Sequence, residues 1–444
     1  MRARKSVLAA ISALIVLGAC AKNKSRIDLS KPHRADQLLI TLRGEAKSSQ
    51  LSQILDKSSP SAQVESLNED TVLITFPEGA DLEEEAEKWS EHEAVDSIEA
   101  NAIYEIEERI PNDPYFSKLW GLQNKGQQRG VIGADIGATS AWDLGQGSRR
   151  VLVGVIDSGI DYNHPDLAKN IWTNPGEQGL DADGQDKASN GVDDDGNGYV
   201  DDVRGWDFEQ NDNDPMDATS HGTHVAGILG AVGNNGIGIA GVSWKVSMVP
   251  IKVFGETGRT STDVIIRGLD YATKLGVLAT NNSWGGPSRS EALLAAIKRA
   301  EAKGSLFVAA AGNDGVDNDS SQHFPSNFNL PHMISVAASN RHDKLASFSN
   351  FGANSVLVAA PGESIYSTLP ENSYGLKSGA SMATPHVTGL IAVLAARYST
   401  RSPIELRKML LDAATPLPLL RAQVKYGRLD AKSALLGIRA ERED

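Results

Sequence analysis

One cysteine, Cys20, among 444 residues leaves no partner for an intramolecular disulfide. Any staple of the folded chain must come from something other than paired sulfur. Basic residues are also outnumbered, 43 Lys and Arg against 57 Asp and Glu, giving a formal charge of −14 and a pI near 5.2. Nucleic acid needs a basic stripe, so this balance argues against such a partner. The sequence shows no internal repeat and no low-complexity tract. Its one long apolar run, VLAAISALIVLGA, is too short to prefer spanning a membrane.

That run follows a basic MRARK and ends in Leu17-Gly18-Ala19-Cys20. The segment resembles the lipobox of bacterial lipoproteins. The resemblance implies a signal peptide over 1–19, a lipid on the Cys20 sulfur and an exported precursor anchored to a membrane of the cell envelope. An ordinary secretory signal that happens to end in Cys implies export as well. Residues 20–36 are polar and read as a tether. In 37–108, QLLITLRG, AQVESL, TVLITFP and DSIEANAIYEI read as strands. SSQLSQILDKS and DLEEEAEKWSEHEAV read as helices, the second opened by Asp81 as N-cap. The order β-α-β-β-α-β is the ferredoxin-like α+β pattern.

Residues 111–444 alternate strands with helices. VLVGVID, KVSMVPIKVF, VLATNNSW, LFVAAAGN, MISVAAS and VLVAAPG are continuous apolar runs of strand length, which suits strands buried on both faces. Between them, STDVIIRGLDYATKLG, SEALLAAIKRAEAKG and ASMATPHVTGLIAVLAARY read as helices. The expectation is an α/β fold with a doubly wound parallel sheet and its site at the carboxyl ends of the strands.

Four segments put reactive side chains at such ends. VLVGVIDSGID carries Asp157 and LFVAAAGNDG carries Asn313 at strand ends; HGTHVAG carries His221 and SGASMATPHV carries Ser381 at helix starts. Pro385 is expected in the first turn of its helix, where proline is tolerated. A serine hydroxyl needs a base within reach, and the base needs an orienting carboxylate. Ser381, His221 and Asp157 supply those three groups. A zinc reading of His221 and His224 lacks the HExxH pattern, since Gly222 and Thr223 stand between them. His224 is expected to pack against the first strands of the sheet.

VIDSGIDYNHPDL, HGTHVAG, NNSWGGPS, AAAGNDG and GASMATPHV, in that order, resemble the motifs of the subtilisin-like serine proteases, the subtilases. The resemblance implies an exported serine endopeptidase acting through an acyl-enzyme. Asp157 would hold the imidazole, His221 would move the proton and Ser381 would attack the scissile carbonyl. Asn313 would donate to the oxyanion together with the Ser381 backbone N–H. The family usually has Thr before the nucleophile; here it is Ala380, which removes a hydroxyl thought to support the oxyanion hole. Ser283, Trp284 and Gly285 match the edge that pairs with an extended polypeptide substrate. Gly285 and Gly312 would leave room for the side chain before the cut, and Asp314 would lie near that pocket. The 37–108 unit resembles the inhibitor propeptide of these enzymes, cut near 108–112 to free the peptidase at 111–444. The lipid would then stay on the propeptide, and the mature enzyme would be soluble in the periplasm or outside the cell.

Charge is concentrated in an insertion at 174–217. Residues 181–217 hold thirteen acids and two bases. Asp193-x-Asp195-x-Asn197-Gly198, with Asp201, copies the front of an EF-hand-like loop, but Arg204 stands where the closing acid belongs. Asp181, Asp183 or Asp202 could complete a calcium shell; the alternative is a solvated acidic lobe. The resemblance implies a second structural calcium, held by Asp113, Asp166 and Asn235 with the carbonyls of Gly233, Ile237 and Ile239. Two other readings stay open: a subtilase fold that only binds, and a calcium-binding envelope lipoprotein.

Overall fold

Each apolar run expected as a strand in the large unit becomes one. A computed structural model describes residues 27–31, 33–43, 61–90, 92–103 and 109–440. The expected signal segment with Cys20, the expected helix SSQLSQILDKS, the 104–108 end of the last strand expected in 37–108 and the ERED tail lie outside the described residues. The chain divides into two units, Met1–Ile106 and Glu107–Asp444.

In the first unit, β1 (His33–Leu42), β2 (Gln63–Ser66), β3 (Thr71–Thr75) and β4 (Val95–Ala102) form an antiparallel sheet in the order β2-β3-β1-β4. Alternation along β1 and β3 buries Leu38, Ile40, Val72 and Ile74 against Leu82, Ala86 and Trp89 of one helix, Leu82–Ser90. Asp81 caps that helix by accepting from the N–H groups of Glu83 and Glu84 at 3.0 and 3.2 Å. The helix stops at Ser90, short of the expected Val95, because Val95 already belongs to β4.

In the second unit, β5 (Gly147–Asp157), β6 (Trp206–Asp207), β7 (Lys245–Lys252), β8 (Ala279–Asn282), β9 (Leu306–Ala310), β10 (Met333–Ser339) and β11 (Val358–Pro361) form a seven-stranded parallel sheet. Its order is β11-β10-β9-β8-β5-β7-β6. β5 lies between β7 and β8, so the strand order reverses beside it and a crevice opens at its carboxyl end. Alternate residues of the strands face two cores. Val153, Val155 and Met248 face one with the His221–Gly230 and Ala380–Arg397 helices. Ile156, Val249 and Ile251 face the other with the Thr262–Leu275 and Glu291–Ala302 helices. The apolar positions Leu293, Leu294, Ala296, Ile297 and Ala300 are the buried face of their helix. Among the described residues, no helix is long and apolar enough to cross a membrane.

One hairpin had no counterpart in the sequence reading. β12 (Ile365–Leu369) and β13 (Ser373–Lys377) pair antiparallel through a turn in which Glu371 and Asn372 take φ of +60° and +55°. Pro370 opens that turn, and polar residues along SYGLK hide the strand pattern.

Candidate active site

The carboxyl end of β5 places Asp157, with only 2 % of its surface exposed. His221 Nδ1 lies 2.8 Å from Asp157 Oδ1, which also accepts from the Ser158 N–H at 2.8 Å. Burial works against the charged form of His221, but the charge and hydrogen bond of Asp157 outweigh it and raise the imidazole pKa.

Asp217 holds the entry to the His221 helix. Its Oδ1 accepts from Ser158 Oγ and from the N–H groups of Thr219 and Ser220, and its Oδ2 accepts from the Thr223 N–H and hydroxyl. Ser158 Oγ in turn accepts from the Gly222 N–H at 3.0 Å. These bonds keep Ser220 at φ +65°, a left-handed conformation that costs a non-glycine residue roughly 1–2 kcal/mol. They also tie the segments bearing Asp157 and His221 together.

His224, one turn on, is fully buried and does something different. Its Nε2 meets the Gly375 carbonyl at 3.1 Å, and its own carbonyl accepts from Ser367 Oγ. It therefore seats on the late β12–β13 hairpin rather than on the first strands. Burial pushes its pKa down to about 3, so the ring is neutral.

Ser381 is the second residue of the Ala380–Arg397 helix, which is buried almost throughout. Pro385 is the sixth, so it lies in the second turn rather than the first. Its missing N–H would have bonded the Ser381 carbonyl. Ser283 Oγ supplies that donor instead, at 2.8 Å, while Ser381 Oγ donates to the Ser283 carbonyl at 3.0 Å. The two serines are thus bonded reciprocally, and the Ser381 hydroxyl points at Ser283 in this resting geometry rather than at His221. Catalytic hydrogen bonds often form only once substrate is bound. We expect Ser283→Ala to leave the Ser381 carbonyl without its donor and to lower stability by about 1–3 kcal/mol, read as a lower denaturation midpoint.

Asn313 follows β9. Its Oδ1 accepts from the Ala380 N–H at 2.7 Å, which leaves the amide N–H groups of the side chain for the cleft. Beneath it, Asn350 accepts from the Asp314 and Val316 N–H groups, and Asn318 and Asn327 complete a buried amide network. Trp284 Nε1 donates to the Ile156 carbonyl at 3.0 Å, fixing the end of β8 to the end of β5. The indole is both core and wall: it packs on Phe254 and Phe307 and lines the cleft.

One lobe of that cleft is lined by Asp157, Ser158, His221 and Trp284, and the adjoining lobe by Ser381, Asn313, Gly285, Gly312, Asp314 and His323. His323 is a wall residue the sequence reading missed. A Cβ on Gly285 would meet its Cε1 at 2.2 Å, and one on Gly312, at φ +114°, would meet its Cδ2 at 3.0 Å. The two glycines admit the imidazole, so the missing side chains are filled by protein on that side. Burial lowers the His323 pKa against a smaller opposing effect of Asp314, so the ring is neutral at pH 7.

A serine hydroxyl at a helix N-terminus, a buried Asp–His pair and an amide donor around one cleft are the kinds of group that acyl transfer uses. Residues 148–431 match the sequence profile of the subtilase family. The chain belongs to the subtilase family. It is 34% identical over 325 residues to thermitase of Thermoactinomyces vulgaris, covering 73% of this chain and 99% of that protein. It is 37% identical over 287 residues to subtilisin J of Geobacillus stearothermophilus, covering 64% of this chain and 65% of that protein. A solved protease structure from Pseudoalteromonas arctica PAMC 21717 superposes with a TM-score of 0.58 at 29% identity, covering 73% of this chain and 98% of that one. This subtilase is a serine endopeptidase, and its substrates are polypeptides.

The acids named as metal ligands fall into separate groups in this subtilase. Asp113 accepts from the Asn234 and Asn235 N–H groups, while Asp166 accepts from Asn235 Nδ2, the Ile239 N–H and the Tyr374 hydroxyl. Gly233 and Ile237 belong to the same loop; Ile237 donates its N–H to Asn235 Oδ1. Burial raises the pKa of both carboxyls, and the charge of Asp166 adds to the effect on Asp113. Both carboxyls are thus bound to one loop, and their hard oxygen donors are the type a divalent cation such as calcium takes.

In the acidic insertion, Asp193 and Asp195 fold around the Asn197 N–H, and the Asn197 side chain donates to Asp195 and Asp202. Asp201 accepts from the Gly191 N–H. Asp181 caps a turn containing Asp183 and Gln185.

Proposed function

We propose that Asp157, His221 and Ser381 act as the catalytic triad of this peptidase and that Asn313 donates to the oxyanion. The 2.8 Å bond between His221 and a buried Asp157, at one cleft with Ser381, carries this reading. His221 takes the Ser381 proton as the hydroxyl attacks the scissile carbonyl, then returns it to the leaving amine. Asp157 holds the ring with Nε2 toward the cleft. The charge that develops on the carbonyl oxygen is met by Asn313 Nδ2 and the Ser381 N–H. Ser283, Trp284 and Gly285 pair with the extended substrate, and His323 and Asp314 face its side chain. A fluorophosphonate reacts with an activated serine; labelling of Ser381 that disappears on denaturation tests the assignment, and an unlabelled protein favours a fold that only binds. Asn313→Ala should lower kcat by roughly 10²–10³ with KM little changed, measured on a peptide anilide.

The same reading extends to the ends of the chain. The 37–108 unit acts as an intramolecular inhibitor removed by the enzyme itself. A lipid on Cys20 anchors the exported precursor, and processing near 108–112 releases the peptidase into the periplasm or medium. Active enzyme found only in washed membranes would overturn the release.

Calcium takes the place of disulfides as the staple. Asp113, Asp166 and Asn235, with carbonyls of the 233–239 loop, would hold one ion, and the Asp193 loop another. Each neutralises buried or clustered acids and fixes a surface loop to the sheet. An ion that binds only the folded state adds about 2.7 kcal/mol at a hundredfold excess over Kd. EDTA should therefore lower the Tm by several degrees, and added calcium should restore it. An unchanged Tm would remove calcium from the reading.

A further inference from the structure

We propose that His323 sets which side chain this peptidase accepts before the cut: its Nε2, together with the Asp314 carboxylate, selects a cationic side chain rich in N–H donors, that of Lys or Arg. The inference rests on the triad reading of the cleft and adds a substrate class to it.

The segment bearing His323 is held firmly against the substrate edge. Gly286 and Phe324 exchange both backbone hydrogen bonds, at 2.8 and 2.7 Å. The His323 N–H donates to Asn327 Oδ1 at 3.0 Å. The Arg289 guanidinium lies 5.6 and 5.4 Å from the ring centres of Phe324 and Phe328, so the residue next to His323 is clamped as well.

The two cleft glycines fix how the imidazole faces. A Cβ on Gly285 would collide with His323 Cε1, and one on Gly312 would come within 3.0 Å of its Cδ2. Cε1 and Cδ2 are the two carbons bonded to Nε2. The ring edge that spans from one glycine to the other is therefore the Nε2 edge, in the lobe that also holds Ser381 and Asn313. Ser326 Oγ donates to the His323 carbonyl at 2.8 Å, so toward Nδ1, 3.5 Å away, it can only accept. That contact puts the ring proton on Nδ1 and leaves a lone pair on Nε2.

Charge in the lobe agrees with this acceptor. Asp314 lines it and acts electrostatically on His323. Among the described residues lining the lobe there is no Lys or Arg, and the nearby Arg289 is turned to Glu291 and the two phenylalanines. An acceptor nitrogen beside a carboxylate favours a donor cation and repels an acid. An aliphatic side chain would bury Nε2 without a partner, which costs binding.

The test compares kcat/KM on peptide anilides that differ only in the residue before the cut. The ratio between two substrates on one enzyme cancels the titration of the triad and any general loss of activity. The wild type should favour Lys over Leu, and over Glu, by roughly tenfold to a hundredfold, the range spanned by a hydrogen bond to a charged group. His323→Leu keeps bulk but loses the acceptor and should lower the Lys-to-Leu ratio about tenfold. His323→Gln, which retains an acceptor oxygen, should keep more of it, and Asp314→Asn, which removes the charge, should reduce it. In the wild type the ratio should fall from about pH 8 to about pH 5, as His323 takes up a proton and turns from acceptor to cation while lysine stays charged. In His323→Leu it should stay flat. A wild type that cleaves Leu or Glu peptides as fast as Lys overturns the assignment, as does a His323→Leu enzyme with the wild-type ratio. If His323→Leu does not fold, the wild-type pH course decides, and a flat ratio overturns it. A wild type that cleaves none of the peptides fails the triad reading itself, and the assignment falls with it.

Discussion

Ser381→Ala is expected to stop both peptide hydrolysis and removal of the N-terminal segment. Intact mass should show the wild type without the residues ahead of about position 112 and the variant still carrying its 37–108 unit. Turnover should fall on the order of 10⁶-fold, as it does for the equivalent change in subtilisin. The fold should survive, because the lost hydroxyl makes one bond, to the Ser283 carbonyl, while the backbone carbonyl of residue 381 keeps its donor from Ser283. A variant that stays full length yet melts like the wild-type precursor separates chemistry from folding. If both proteins stay full length, self-processing is wrong and another protease must make the cut. If both are processed alike, Ser381 is not the nucleophile of that step.

The parts of this site that the sequence disclosed share one property: their chemistry is local. Asp157 ends an apolar strand, Ser381 and His221 open helices, and Asn313 follows a strand, so periodicity puts each at the carboxyl edge of a sheet, and the resemblance to subtilase motifs is what singles them out as one set. What stayed hidden depends on segments meeting in space. His323 enters the cleft between Gly285 and Gly312, glycines whose openness looked like room for substrate. The Asn318–Asn327–Asn350 network has no periodicity to betray it, since buried amides are placed by the carbonyls they must satisfy. Pro385 misled for a related reason. Placed one turn deeper than expected, it is tolerated because Ser283, about a hundred residues earlier, replaces the bond it removes.

The pH dependence of the enzyme should report the Asp157–His221 pair directly. In the proposed triad His221 must be neutral to accept the Ser381 proton, so kcat/KM should rise with pH through the imidazole pKa, which lies above its ordinary 6.5. Burial alone would lower that pKa; the charge of Asp157 and its hydrogen bond reverse the sign. Asp157→Asn removes both favourable effects and keeps the burial. The acid limb of the profile should therefore move to lower pH, while the plateau drops by roughly 10⁴ because the ring is no longer held in the productive tautomer. The same pair bears on stability with a fixed sign. A histidine whose folded pKa is raised contributes stability that is complete below its unfolded pKa and disappears as pH rises through the folded one. In the wild type, this contribution thus fades over the pH range in which activity appears. An Asp157→Asn enzyme that keeps the wild-type acid limb would show that some group other than His221 is the titrating base.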